Sequence, residues 1–277
     1  MNAKLRRQAA ARRAEEVIER YGVQSLPVDP FAIAEAENIV VRPKSASNGV
    51  SGFLLKHGDD FGICYATHIK NEGFVRFCVA HELGHYFLDG HPEHLFRTGD
   101  GMHQSKSGFT SADPFEQEAD EFAANLLMPK RLFRDALRES GRGFEAIQQL
   151  SITCLTSITS TAIRYAMTAD ESVAVIVSSG SQIDYCFMSD RLKSRRGIEW
   201  LRRGQGLPRA SHTAKFNADT ARVHQGEHSE STAMLDEWID GAPEVEVCED
   251  VVGLGTYGRT LTVLHTDEGL DAGESED

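Results

Sequence analysis

Five consecutive residues, His81-Glu82-Leu83-Gly84-His85, spell H-E-x-x-H. On a helix, positions i and i+4 share one face, a turn apart. Two imidazoles at that spacing can grip one metal ion, and Glu82 then stands beside a further coordination position. A water held there has its pKa lowered to about 7, and a neighbouring carboxylate can take its proton. The pattern arises by chance about 0.04 times in a chain of this length and composition. Its meaning therefore rests on what surrounds it.

A catalytic metal site takes three protein ligands and leaves one position open. His91 lies six residues after His85, the place of the third histidine in H-E-x-x-H-x-x-G-x-x-H. That arrangement needs a glycine three residues after His85, where Leu88 stands; Gly90 comes too late, so His91 reads as a loop histidine. The competing source is the segment Phe115 to Ala124, in which Glu116 and Asp120 are i and i+4. Glu116 can ligate while Asp120 accepts the N–H of a ligand histidine and sets its tautomer. Glu118 is rotated by about 200° from Glu116, so both cannot face one metal. The plain alternative is a solvated acidic helix face, the usual fate of such a stretch; the upstream motif favours the ligand reading. Cys78, three residues before His81, reads as packing.

The elements that must hold these residues are legible in outline. Residues 8–22 form an Ala-, Arg- and Glu-rich helix closed by Gly22, and Asp29 caps a short helix from Pro30 to Glu37. Ile39 to Val41 reads as a strand, and Phe53–Leu55 and Phe61–Tyr65 flank a turn at Gly58-Asp59-Asp60. The motif helix spans Glu72 to Asp89, with apolar residues on enough sides to predict heavy burial. Residues 90–112 read as an irregular loop. Asp113 and Pro114 open a helix to Met128, and another runs from Lys130 to Glu139. Residues 143–168 form a helix pair that resembles a helix-turn-helix but is better explained as packing. Strands follow at Val173–Val177, Ile183–Met188, Val245–Leu254 and Tyr257–His265. The expected fold class is α+β. Its domains are a peptidase-type domain at 1–142, a helical segment at 143–169, a strand-rich, sensor-like or regulatory region of mixed α/β character at 170–266, and a disordered acidic tail at 267–277.

The chain has 277 residues, 40% hydrophobic and 26% charged, with a net charge of −13. That charge argues against nucleic acid as the main partner. The start carries charge without an apolar run, and no stretch approaches the ~20 apolar residues of a membrane span. Five scattered cysteines without C-x-x-C read as reduced thiols, and the expected location is the cytoplasm.

Arg76 to His85, together with Glu116 to Pro129, resembles the ImmA/IrrE family of metallopeptidases. Gly22 to Asp29 is similar to the helix-turn region near the family's N-terminus, and the likeness covers about residues 10–168. It implies a small gluzincin-like fold with an antiparallel sheet packed on helices, His81, His85 and Glu116 as zinc ligands and Glu82 as the catalytic residue. It also implies a protein substrate, a helix-turn-helix repressor whose cleavage switches on phage, mobile-element or stress genes. Two departures stand out: no segment reads as the N-terminal DNA-binding domain that some members carry, and the match after residue 170 is weak.

The expected reaction is metal-assisted hydrolysis of a peptide bond, with Zn2+ as cofactor and Mn2+ or Fe2+ also compatible with nitrogen and oxygen donors. Tyr65, His103 and Arg76 are candidates for a second electrophile, and the edge of the 52–65 hairpin is a candidate for strand addition by substrate. The alternative is a non-catalytic, metal-containing regulator that binds DNA or protein through residues 143–203, where Arg191 to Arg203 are rich in cations. Structural zinc sites tend to be closed by four ligands rich in cysteine, which this site does not offer.

Overall fold

The computed structural model describes residues 2–46, 49–68, 70–105 and 111–266. The acidic tail expected at 267–277 lies outside the described residues. The fold is α+β, in two compact units: Met1–Ala136 with Ser151–Ser157, and Leu137–Leu150 with Ile158–Asp277. This division cuts through the helix pair that the sequence reading set apart as residues 143–169.

The first unit begins with helix α1 (Ala3–Arg20), which starts earlier than its periodicity indicates because the Asn2 side chain accepts a hydrogen bond from the Lys4 N–H. Asp29 caps α2 (Pro30–Ala36) in the same way, with Pro30 in the first turn, where its missing N–H costs nothing. Strands β1 (Val40–Lys44), β2 (Gly52–His57) and β3 (Asp60–Ala66) then lead into α3 (Glu72–Phe87), which carries the motif and is capped by Asn71. Beyond it come α4 (His91–Leu95), β4 (Met102–Ser105), α5 (Pro114–Leu127) and the start of α6 (Lys130–Glu139), whose last residues from Leu137 belong to the second unit.

Residues 90–112 are thus not simply a loop. Gly90 takes a left-handed backbone that turns the chain into α4, and β4 pairs with β2 through Gly52↔Ser105 to Leu55↔Met102. A strand of one methionine and three polar residues has no apolar alternation of its own; pairing with β2 makes it one.

The sheet order is β1-β3-β2-β4, with β1 parallel to β3 and the other pairs antiparallel. The hairpin β2–β3 therefore has no free edge, which overturns its expected role as the edge for strand addition; β1 and β4 are the outer strands. On the core side, Leu54 and Ile63 meet Phe77, Val79, Ala80, Leu83 and Phe87 of α3, Val17 and Ile18 of α1, and Phe122, Leu126 and Leu127 of α5. Arg76 through His85 are all buried, so α3 is a central helix and not a surface one.

The second unit contains the first turns of α7 (Gly143–Cys154) and all of α8 (Ile158–Thr168). Its strands are β5 (Val173–Ser179), β6 (Gln182–Met188), β7 (His228–Met234), β8 (Glu246–Gly253) and β9 (Thr260–His265). They form one antiparallel sheet in the order β6-β5-β9-β8-β7. Short helices α9 (Asp190–Lys193), α10 (His212–Ala218), α11 (Thr220–Gln225) and α12 (Leu235–Trp238) accompany it. Ile176, Met188, Leu201, Trp238, Ile239 and Leu264 build the larger core, while Phe216, Val223 and Val251 pack as a smaller cluster. No disulfide joins the five cysteines. No described helix is long and apolar enough to cross a membrane.

Candidate active site

Helices α3 and α5 can lie close together because Gly84 has no side chain. A Cβ there would sit 3.1 Å from Ala119 Cα and 3.1 Å from a Phe122 ring carbon. That approach sets the α5 face carrying Glu116 and Asp120 against the α3 face carrying His81 and His85. His81 Nε2 and His85 Nε2 are 3.1 Å apart, and Glu116 stands 3.5 Å from the first and 3.2 Å from the second. Metal bonds of about 2.0–2.1 Å in a tetrahedral site put donor atoms about 3.4 Å apart, so the three side chains fit one ion. His81, His85 and Glu116 are the group of described residues that could hold a metal.

The ring nitrogens facing away from this cluster are both engaged. His81 Nδ1 donates to Asp120 Oδ1 at 2.8 Å, which leaves Nε2 as the metal-facing atom. His85 Nδ1 lies 2.9 Å from His91 Nδ1, on the side of the ring away from the cluster. His91 is thus a buried partner of a ligand candidate and not the loop histidine its sequence position indicates. Glu118, rotated away from Glu116, is not solvated either: it pairs with Arg6 of α1 and faces His91 Nε2 at 3.4 Å.

Glu82 is fully buried. Neither of its carboxylate oxygens has a well-formed hydrogen bond among the described residues, although the Ser105 hydroxyl is near enough to favour the charged form. Burial pushes its pKa up to about 7, against the downward pull of His81. A buried acid without well-formed hydrogen bonds is costly unless something else is bound beside it. Burial also pushes His85 down, with Glu116 only partly opposing it. For His81 burial acts in the same direction but loses to the hydrogen bonds of Asp120 and Glu116, which raise it to about 10. Glu116 is held far below the usual carboxylate range: the hydrogen bonds of His103, His81 and His85 overcome its burial.

The three candidates for a second electrophile separate. Arg76 is buried and its terminal nitrogens face the turn before α2, one donating to the Val28 carbonyl and the other 3.9 Å from Asp29. Tyr65 packs edge-on against Phe31 of α2. His103, on β4, donates from Nε2 to Glu116 Oε1 at 3.0 Å, and its ring lies 4.9 Å from that of His85.

Gly52 is the residue that sequence reasoning passed over. A Cβ on it would lie 2.4 Å from Glu82 Oε1. A glycine directly ahead of the apolar run Phe53-Leu54-Leu55 was the available signal for a close approach.

A comparison with curated proteins finds no match. A solved structure described as a Mycobacterium tuberculosis transcriptional regulator is similar to this chain with a TM-score of 0.56 at 15% identity, over 94% of this chain and 76% of that one. Identity that low speaks for the fold alone. Residues 34–151 match the family Peptidase_M78, described as an IrrE N-terminal-like domain. That span, which is similar to the IrrE N-terminal-like domain, holds the whole of the His81, His85, Glu116 cluster with Glu82 and Asp120.

Proposed function

We propose that this chain is a zinc-dependent endopeptidase that cuts a helix-turn-helix repressor in the cytoplasm and thereby regulates transcription. The observation that carries the reading is Glu82: a buried carboxyl, poised near neutral pH and without a well-formed hydrogen bond, beside three converging metal donors. Metal-binding cores that serve only structure have no use for such an acid.

Zinc, when bound, supplies a Lewis acid that polarises the peptide carbonyl and acidifies a water molecule. Glu82 accepts the proton of the attacking water on a carboxylate oxygen and delivers it to the leaving amine. Asp120 holds the His81 tautomer that keeps Nε2 free of its own hydrogen. His103 is partly exposed and donates its Nε2–H to Glu116, which orients that carboxylate toward the metal position. Strand β4 is an outer strand and carries this histidine, so an extended peptide can add to its open edge by backbone hydrogen bonds. The choice of a repressor as substrate draws support from the resemblance to ImmA/IrrE peptidases.

The test is co-expression of the chain with repressors encoded beside its gene, comparing wild type with Glu82→Gln. Cleavage by wild type and none by Glu82→Gln, with zinc content unchanged, is the expected result. Equal cleavage by both would remove Glu82 from the mechanism.

A further inference from the structure

We propose that helix α1 belongs to the support of the metal centre: Arg6 is a positioning residue that acts on His85 through Glu118 and His91. The inference rests on the metal site proposed above and moves one layer outward from it.

The two candidate ligand histidines are supported differently. His81 rests directly on the carboxylate of Asp120. His85 has another imidazole in that place, and the carboxylate comes one step later. Proton placement along this chain has one consistent solution. His85 must keep Nε2 bare to ligate, so its hydrogen is on Nδ1. His91 must then accept at Nδ1, which puts its own hydrogen on Nε2. That nitrogen faces Glu118 Oε2 at 3.4 Å, and an ionised carboxylate can only accept.

Arg6 holds the Glu118 carboxylate in that place. Glu118 and His91 are both buried, and a buried carboxylate with no cation would be strongly unfavourable. The Arg6 guanidinium pairs with the other oxygen, Glu118 Oε1. It also lies over the face of Phe115, 4.9 Å from the ring centre, while His91 meets the same ring edge-on at 4.9 Å. Arg6 thus touches both the acid and the aromatic wall that fix His91. Helix α1 lies ahead of the family-matched span 34–151, so this support is built by a part of the chain outside it.

The neighbouring arginine is an internal control. Arg7 donates to Gln117 Oε1 at 2.8 Å, tying the same two helices together, but Gln117 bonds Ser111 and not a histidine.

The experiment measures zinc affinity by competition with a chromophoric chelator. It uses the full chain as wild type, Arg6→Ala, Arg7→Ala, His91→Ala and His91→Gln, with thermal unfolding of each metal-free protein alongside. His91→Ala is expected to weaken zinc binding by about 10–100-fold, the usual effect of removing the partner of a ligand histidine. His91→Gln should recover most of that loss, because its amide oxygen can accept from His85 Nδ1. Arg6→Ala should weaken binding by about tenfold and shift the visible absorption of the cobalt-substituted protein, on the same grounds. Arg7→Ala should keep wild-type affinity and lose less thermal stability than Arg6→Ala, because its hydrogen bond is exposed. Wild-type zinc affinity in Arg6→Ala, or equal weakening in Arg6→Ala and Arg7→Ala, would overturn the proposal and leave the metal site standing. A wild-type chain that binds no zinc would instead overturn the site itself.

Discussion

Glu82 occupies space that Gly52 leaves open: a Cβ on Gly52 would come within 2.4 Å of the Glu82 carboxylate oxygen. The strand behind the motif helix therefore sets where the proposed base stands, as much as the helix does. Gly52→Ala is expected to keep zinc at wild-type stoichiometry and to lower kcat by about 10²-fold, the scale of a small misplacement of a reacting group. A variant with full activity would show that Glu82 has room to move aside.

The orienting carboxylate can be tested apart from the base. Asp120→Ala removes the acceptor of His81 Nδ1, 2.8 Å away. Zinc affinity should fall by about 10–100-fold, and Asp120→Asn, which retains an acceptor oxygen, should lose less. Equilibrium dialysis of both variants against buffered zinc checks this.

Zinc affinity should depend on pH with a definite sign. His81 is raised to about 10, so at neutral pH it holds a proton that must leave before Nε2 can ligate. His85 is shifted downward and adds no such requirement. Affinity should rise with pH across the neutral range by about tenfold per unit, one proton being released per ion bound. Calorimetry in buffers of different ionisation heat counts that proton directly.

Activity should show an acid limb set by Glu82. Burial lifts this acid to about 7, and it serves as a base only when ionised, so kcat/KM must rise as pH increases through its pKa. A bound dication pulls that pKa down, which places the limb below pH 7 in the loaded enzyme. In a pH–rate profile of a zinc-loaded sample, a limb well above pH 7 would contradict the role.

Close contact between α3 and α5 is needed for Glu116 to meet the histidines. Gly84→Val would push side-chain atoms against Ala119 and Phe122, since even a bare Cβ at Gly84 would stand only 3.1 Å from each. Overpacking of this kind costs about 1–3 kcal/mol and separates the helices, so both thermal stability and zinc affinity should fall.

Much of this site could be read from the chain. H-E-x-x-H needs only one helix turn to bring His81 and His85 together, and Glu116 with Asp120 uses the same local rule on a second helix. Caps at Asp29, Asn71 and Asp113 are local too, since each side chain bonds a backbone N–H within three residues. The contacts that complete the site carry no such local signature. β4 exists because β2 pairs with it, His91 is buried because Phe115 and Glu118 close over it, and Arg6 reaches Glu118 across 112 residues of chain. Periodicity within a segment reports which face of a helix or strand is apolar. It does not report which distant segment covers that face, because that choice is made by packing among elements already formed.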